Sequence, residues 1–317
     1  MVKCKACDNQ FDSERQLHAH LKAHKLRMAA YYQEYYPRYD LYTNKIIKLK
    51  NKNQYFSNDF NSKTHLRMWL KGKNLSEAKE YCENLLTERK EEKELIYSPT
   101  QVELRSIMSP PIQYYNEIFG DYYRLCDSLG FKNKHQKLTE IITGSEWEKP
   151  EYLIFVDTRE QKPLKFPNRK IEIKKLDYGD YAFSSPRATC NCYIERKGLS
   201  DFVGTLSGGY ERFLKEIRRA EEDNAYLVVL VESDFSRALY FNEQRKSYNK
   251  ERVFKKVKAT PEFIFHRVRK IIQKFSNVQF LFVKGRKEAS RVTEKIFTCG
   301  CFYKRTDLQL AYDLKKL

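Results

Sequence analysis

LDYGDYAFSSPRATCNCYIERKGLSD, residues 176–201, is the stretch that decides the fold of the C-terminal half of the chain. Its second part, residues 192–197 (CYIERK), is typical of a short strand rich in β-formers. Successive side chains of a strand point to opposite faces. Glu195 and Lys197 are therefore expected on one face of the strand, with Arg196 on the other.

A hairpin within this stretch would bring a second acid to the same place. Residues 185–189 (SPRAT) are turn-like, and a turn there would set Asp180 opposite Glu195. Two carboxylates and the Lys197 ammonium would then converge on one point. Carboxylate oxygens hold Mg²⁺ or Mn²⁺, the bound ion activates water for attack on a phosphodiester, and a lysine stabilises the developing charge. The alternative is a structural ion-pair cluster, since such clusters mimic sites.

A third acid stands at the end of an earlier strand. Residues 152–156 (YLIFV) form a continuous apolar run that predicts a buried strand, and Asp157 follows it directly. Asp157 is predicted either to bind the metal or to support the residues that do.

The remaining part of this half alternates apolar strands with amphipathic helices. The predicted strands are 225–232 (AYLVVLVE) and 278–283 (VQFLFV), and the predicted helices are 261–275 and 287–297. This alternation indicates an α/β domain over residues 151–317.

The acids and their neighbours form an ordered motif that resembles the nuclease signature of the XPF family. The matching pieces are Asp157-Thr158-Arg159-Glu160, Gly179-Asp180, Glu195-Arg196-Lys197 and Asp201. The resemblance extends from Tyr152 to about Gly300. It implies an α/β restriction-endonuclease-like fold, with a mixed central sheet flanked by helices, and a Mg²⁺- or Mn²⁺-dependent DNA endonuclease.

The resemblance also assigns roles to residues. Asp157, Asp180, Glu195 and Lys197 are expected to be catalytic, with the three acids as magnesium ligands. The supporting residues are expected to be Arg159, Glu160, Arg196, Asp201 and Arg212. Members of the family cut as dimers, so a homodimer is an open expectation.

The N-terminus carries a second metal motif. Cys4, Cys7, His20 and His24 have the spacing of a ββα zinc finger over residues 1–25. Two histidines four residues apart share a helix face and can reach one ion. A unit this small buries too little apolar surface to fold alone, so Zn²⁺ is expected to supply its folding energy.

The finger has two candidate roles. Gln16 occupies a base-reading position of such fingers and could pair with adenine. A single finger reads about three base pairs, so it would confer little specificity. A purely structural or protein-binding role is the alternative.

Residues 26–148 are predicted to be a mostly helical, DNA-binding region rich in Tyr and Lys, ending in a linker at 143–150. Residues 26–59 are either a base-stacking surface or a small aromatic hairpin. Residues 97–131 resemble the helical DNA-binding repeats attached to homing endonucleases, through Pro99-Thr100, Glu103-Leu104, Phe119-Gly120-Asp121-Tyr122 and Gly130-Phe131. A plain helical spacer is the alternative.

Two further cysteine pairs have a one-residue spacing. Cys190 with Cys192, and Cys299 with Cys301, could hold a second zinc if the pairs meet. Buried free thiols are the alternative.

Composition favours a polyanionic partner. The chain of 317 residues has 60 Lys and Arg against 42 Asp and Glu, a net charge of +18, which favours binding of nucleic acid. No signal peptide or membrane-spanning stretch is evident, so we expect no membrane partner. The eight cysteines are then expected in a reducing compartment, either a bacterial or phage-host cytoplasm or a nucleus.

Three functions remain open at the level of sequence. The first is an endonuclease for branched or structured DNA in repair or recombination, as the XPF resemblance implies. The second is a sequence-directed homing-type or mobile-element endonuclease, which the finger and helical repeat favour. The third is a non-catalytic DNA-binding scaffold. RNA remains an alternative substrate.

Overall fold

The computed structural model describes residues 2–36, 75–107, 109–138, 153–184, 191–239, 241 and 259–317. The chain forms two compact units. The first comprises Met1–Glu88 and Ile107–Gly120, and the second comprises Arg89–Ser106 and Asp121–Leu317. The predicted linker at 143–150 lies outside the described residues.

The N-terminal residues, which contain the candidate zinc finger, form two short strands followed by a helix. Strands β1 (Val2–Lys3) and β2 (Gln10–Phe11) pair antiparallel, and helix α1 (Glu14–His20) follows, continued by a 3-10 turn at Leu21–His24. Helix α1 begins where the Ser13 side chain accepts a hydrogen bond from the Gln16 backbone N–H, which satisfies one of the unpaired donors of the first turn.

A further helix completes the finger. Helix α2 (Met28–Tyr35) places Tyr31, which is fully buried, against Cys4, Leu17 and Leu21. The Tyr31 hydroxyl accepts a hydrogen bond from the Lys5 backbone N–H at 3.0 Å. Tyr31, Tyr32 and Tyr35 of the 26–59 segment therefore pack in the same small core as Cys4. Residues 37–59 lie outside the described part.

The middle of the chain is helical in the described residues. The helices are α3 (Leu75–Lys93), α4 (Gln101–Ser106), α5 (Ile112–Phe119) and α6 (Tyr122–Ser128). Ala78 and Leu86 are buried in α3. None of the helices in the described ranges combines the length and the apolar character needed to cross a membrane.

Helix α4 is held to the C-terminal end of the chain by buried polar contacts. The Asp307 carboxylate accepts a hydrogen bond from the Gln101 backbone N–H at 2.7 Å. Arg105 donates to both oxygens of Asp313 at 2.9 and 2.8 Å. Helices α4 and α6 therefore belong to the same compact unit as the C-terminal half.

The C-terminal half contains a mixed sheet of six strands in the order β4-β3-β5-β6-β7-β8. The strands are β3 (Leu153–Asp157), β4 (Lys170–Lys174), β5 (Tyr181–Ser184), β6 (Cys192–Lys197), β7 (Tyr226–Val231) and β8 (Val278–Phe282). Strand β5 runs antiparallel to both β3 and β6, whereas the pairs β3–β4, β6–β7 and β7–β8 are parallel. The fold is α/β, as predicted.

Helices cover both faces of this sheet. The helices are α7 (Leu199–Ser207), α8 (Tyr210–Glu222), α9 (Phe235–Leu239), α10 (Pro261–Lys274), α11 (Gly285–Thr298) and α12 (Leu308–Asp313). Alternate residues of β7 enter two cores. Val229 packs in one with α7, α8 and α10, and Val228 packs in the other with α11 and α12. Burial on both faces explains the continuous apolar run of β7.

Helix α12 was not predicted from the sequence. Its Gln309 is 1% exposed, and its side-chain oxygen accepts a hydrogen bond from the Phe282 backbone N–H at 2.8 Å. A helix of six residues with a buried glutamine has no clear apolar period. The contact satisfies a backbone donor at the end of β8.

His135 makes the stability of the larger unit sensitive to acid. Burial, with a smaller contribution from the neighbouring Lys134, lowers the pKa of His135 from 6.5 to about 4. The folded state disfavours the imidazolium form of His135. The contribution of neutral His135 to the free energy of unfolding is therefore complete above pH 6.5 and is lost as the pH falls towards 4. This shift corresponds to about 3 kcal/mol.

We therefore expect His135→Gln to lose less stability than the wild type between pH 7.5 and pH 4.5. Urea denaturation followed by circular dichroism at the two pH values measures the difference. Asp307 acts in the opposite direction, because burial raises its pKa to about 6, so the comparison is made between the two proteins. Equal acid sensitivity of variant and wild type would contradict the assignment.

Candidate active site

The backbone brings Asp180 beside β6. Tyr181 pairs with Ile194 in the antiparallel register, and the Asp180 backbone N–H donates to the Ile194 carbonyl at 2.8 Å. Gly179 precedes it with a φ of +60°, and a Cβ there would lie 2.8 Å from the Ile194 carbonyl oxygen. Only glycine fits this close turn, so the Gly-Asp pair places the carboxylate next to Glu195.

Glu195 and Lys197 share one face of β6. The Lys197 Nζ lies 2.7 Å from Glu195 Oε1, and both side chains are mostly buried, at 12% and 16% exposed. Lys197 also lies over the Phe213 ring, 5.6 Å from its centroid. The packing holds the ammonium in one place beside the carboxylates.

Asp180, Glu195 and Lys197 line a cavity of about 570 Å³. Its acidic residues are Asp177, Asp180, Glu195 and Glu216. One Asp180 oxygen accepts a hydrogen bond from the Arg196 backbone N–H at 2.7 Å. No hydrogen bond from the described residues reaches the other Asp180 oxygen or Glu195 Oε2, so both can accept a ligand.

The acids of the cavity destabilise one another's charged forms. Burial, followed by the negative charge of Glu195, raises the pKa of Asp180 to about 7. Burial, again followed by Glu195, raises the pKa of Glu216. A site that holds several carboxylates against this penalty is suited to a bound cation.

Cations surround the acids. The basic residues that line the cavity are Arg159, Lys197, Arg212, Lys215 and Arg219. Of these, Arg212, Lys215 and Arg219 are exposed on α8. A concave site lined by both acids and cations can attract a phosphodiester by its cations and hold a metal ion by its acids.

The structure places Asp157 behind the cavity. Asp157 is 1% exposed, and Arg159 donates to it through the backbone N–H at 2.8 Å and Nε at 2.6 Å. The other oxygen accepts from the Leu176 backbone N–H at 2.7 Å and from Arg159 Nη2 at 3.2 Å. All acceptor positions of the carboxylate are filled. Of the two predicted roles, the geometry favours support over metal binding.

The charge state of Asp157 agrees with this placement. Burial opposes ionisation, but the hydrogen bonds from Arg159 and Leu176 outweigh it and lower the pKa of Asp157. The carboxylate is therefore negative and fixes Arg159, which does line the cavity.

Arg196 lies on the face of β6 opposite Glu195 and joins two further acids. It contacts both Glu160 oxygens at 2.9 and 2.8 Å, and its Nη1 lies 3.1 Å from Glu232 Oε1. The three side chains are 14%, 7% and 16% exposed, respectively. This network fastens the segment after β3 and the end of β7 to β6, so it supports the strand that carries the cavity acids.

Removal of the Arg196 guanidinium should be strongly destabilising. Arg196→Met leaves Glu160 without its cation and Glu232 with only Arg286, 3.8 Å away. We expect a loss of about 3 kcal/mol or more in the free energy of unfolding. Combining it with Glu160→Met should cost less than the sum of the two single changes, because the two residues interact. Urea denaturation of the four proteins gives the coupling energy. Strictly additive losses would contradict the network.

The other predicted residues separate into two groups. Arg212 lines the cavity. Asp201 lies in the first turn of α7, is exposed, and does not line the cavity. Sequence reasoning missed Glu216 and Arg219 on α8, although they follow Arg212 at the four- and seven-residue intervals that put side chains on one helix face.

The N-terminal finger assembles a second candidate metal centre. The ligand atoms of Cys4, Cys7, His20 and His24 all lie within 4.8 Å of one another. His24 Nε2 is 3.0 Å from His20 Nε2 and 3.3 Å from Cys7 Sγ. Ligand atoms of a tetrahedral zinc site are roughly 3.3 to 3.8 Å apart, given its bond lengths. The donor set and its geometry therefore fit Zn²⁺.

The remaining predicted sites have less structural support. Gln16 is exposed, and its side-chain oxygen accepts a hydrogen bond from the Asp12 backbone N–H at 2.8 Å. In the second proposed zinc site, Cys192 is buried and Cys299 partly buried, whereas Cys190 and the Cys301 side chain lie outside the described residues.

Comparison with known proteins finds a family match within the larger unit. Residues 156–296 match the ERCC4 domain. The fold is that of an ERCC4 nuclease domain. The match contains Asp157, Asp180, Glu195 and Lys197. No curated protein matches the chain.

Two solved structures of XPF from Aeropyrum pernix are similar to the chain. One is 18% identical with a TM-score of 0.32, and the match covers 48% of this chain and 68% of that chain. The other, a complex with DNA, is 20% identical with a TM-score of 0.30, and the match covers 47% of this chain and 66% of that chain.

Proposed function

We propose that the protein is a metal-dependent endonuclease that hydrolyses phosphodiester bonds in DNA. The observation that carries the proposal is the convergence of Asp180, Glu195 and Lys197 in one cavity of an ERCC4 nuclease domain. The cations that line this cavity and the net charge of +18 supply attraction for a polyanion.

Each residue of the cavity has a role in this proposal. Asp180 and Glu195 hold a divalent cation, Mg²⁺ or Mn²⁺, through the oxygens that accept no hydrogen bond from the described residues. When bound, the cation polarises the scissile phosphate and lowers the pKa of water. Lys197 donates to an oxygen of the reacting phosphate and stabilises its developing charge.

The residues around the centre position the DNA backbone. Arg212 and Lys215 project from α8 into the cavity and would contact phosphates on either side of the scissile bond. Asp157 acts through Arg159, which it holds at the edge of the cavity. These contacts carry no sequence information, so the nuclease unit by itself would cut by DNA shape.

For the substrate we favour branched or structured DNA, with the zinc finger as an additional contact to duplex. A second candidate is a sequence-directed duplex endonuclease, which the finger geometry favours because such fingers insert a helix into the major groove. The finger would then be needed for the choice of site but not for the chemistry.

The test is cleavage of end-labelled flap, fork, four-way-junction and plain duplex DNA, and of an RNA duplex, with Mg²⁺ and with EDTA. We expect Mg²⁺-dependent cutting of at least one branched DNA and none by Asp180→Asn. Cutting of plain duplex at one sequence would favour the second candidate, whereas binding of DNA without cutting under any condition would favour a non-catalytic scaffold.

A further inference from the structure

Glu216 is a carboxylate of the cavity that the sequence motif does not include. It lies on α8, on the helix face that also carries Arg212 and Arg219, and lines the cavity together with Asp180 and Glu195. Helix α8 packs on the sheet through Phe213 and Ile217. The packing of these neighbours fixes the direction in which Glu216 points.

The surroundings of Glu216 are unusual for a half-buried acid. No hydrogen bond or ion pair joins it to any of the described residues, although Lys197, Arg219 and Arg159 are close enough to stabilise its charge. Burial, followed by the repulsive charge of Glu195, raises the pKa of Glu216. An acid in this position costs stability unless a ligand compensates for it.

We propose that Glu216 is the third carboxylate of the divalent-cation site formed by Asp180 and Glu195. This inference rests on the proposed function. Within the described residues, the finger ligands alone form a group of three or more metal-binding side chains whose atoms all lie within 4.8 Å. The three cavity acids are spaced more widely, which suits a magnesium ion that keeps several of its waters. Glu216 would hold the ion through one of these waters.

The test compares cation binding in the wild type, Glu216→Gln and Glu211→Gln, each as the full chain. Glu211 is exposed on the same helix and does not line the cavity. Isothermal titration with Ca²⁺ and with Mn²⁺ should give about 10- to 100-fold weaker binding for Glu216→Gln, the effect expected when a partner of a metal-bound group is lost. Glu211→Gln should bind as the wild type does.

Thermal stability supplies a second readout. Without a divalent cation, Glu216→Gln should melt at a higher temperature than the wild type, because it removes the repulsion from Glu195. With saturating Mn²⁺ the wild type should gain more than the variant does, since it binds more tightly. A role in packing alone would shift both melting temperatures equally.

The outcomes distinguish this inference from the proposed function. If the wild type binds and cuts with Mg²⁺ and Glu216→Gln binds the cation equally well, the role of Glu216 is wrong and the nuclease stands. If the wild type binds no divalent cation and cuts no DNA, both are wrong.

Discussion

Asp180→Asn should reduce the rate of DNA cleavage by about 10³-fold or more, because metal-assisted stabilisation of the reacting phosphate contributes several kcal/mol. Asparagine keeps the shape of the side chain and can still accept the hydrogen bond from the Arg196 backbone N–H. It cannot supply the negative charge that attracts the cation. The substitution should therefore abolish catalysis and leave the folded structure intact.

The same substitution should raise stability in the absence of a divalent cation. Burial and Glu195 together disfavour the Asp180 carboxylate, which is why its pKa rises to about 7. A neutral side chain escapes this penalty, so the variant should melt at a higher temperature than the wild type. Active sites commonly sacrifice stability in this way.

The measurement is single-turnover cleavage at saturating enzyme, beside thermal denaturation in EDTA. Glu172→Gln is the matched control, since Glu172 is exposed on β4 and does not line the cavity. An Asp180→Asn protein that cleaves at the wild-type rate would place the active centre elsewhere. A lower melting temperature would show that the carboxylate has a structural role.

The acids on the strands were accessible to sequence reasoning because the geometry of strands is regular. A side-chain period of two places Glu195 and Lys197 together, and a hairpin limits where Asp180 can lie. Both inferences use only the geometry of a strand and of a hairpin, which depends on residues close in sequence. The same rules explain why β7, with an uninterrupted apolar run, could be predicted as a central strand.

The residues that escaped prediction depend on contacts between distant segments. Glu216 lines the cavity because α8 packs on the sheet in one particular orientation. The helical periodicity of the α8 sequence does not by itself define that orientation. For Asp157 the sequence left two roles open, and the contact that bears on the choice is a hydrogen bond from the Leu176 backbone N–H, 19 residues away. Tyr31 follows the expected finger in sequence and is buried beside Cys4, a contact between residues 27 positions apart.

Removing zinc should unfold residues 2–36 and leave the larger unit intact. The core of the finger consists of Cys4, Leu17, Leu21 and Tyr31 with a few partly buried neighbours, too little to offset the conformational entropy of ordering the segment. Zinc binding contributes about 10–16 kcal/mol in comparable fingers. Helix α2 should unfold together with the finger, because Tyr31 packs against a ligand, Cys4.

Hydrogen exchange followed by mass spectrometry, before and after chelation, tests this expectation. Amides of α1 and α2 should lose protection, and those of β7 and β8 should keep it. Cys7→Ser should reproduce the effect without a chelator. Persistent protection of α1 in zinc-free protein would contradict the proposed role of zinc.

The number of zinc ions bound per chain shows whether the finger alone, or also the C-x-C pairs, binds zinc. One zinc per chain in the wild type, and none in Cys7→Ser, is the result expected if the finger is the zinc site. Two per chain, falling to one in Cys299→Ser, would assign the second zinc to the C-x-C pairs.

Because the finger and the nuclease cavity use different donor sets, loss of zinc should weaken binding to DNA but leave Mg²⁺-dependent cleavage of bound substrate. A finger-deficient protein that binds but no longer cuts would instead make the finger part of the catalytic assembly.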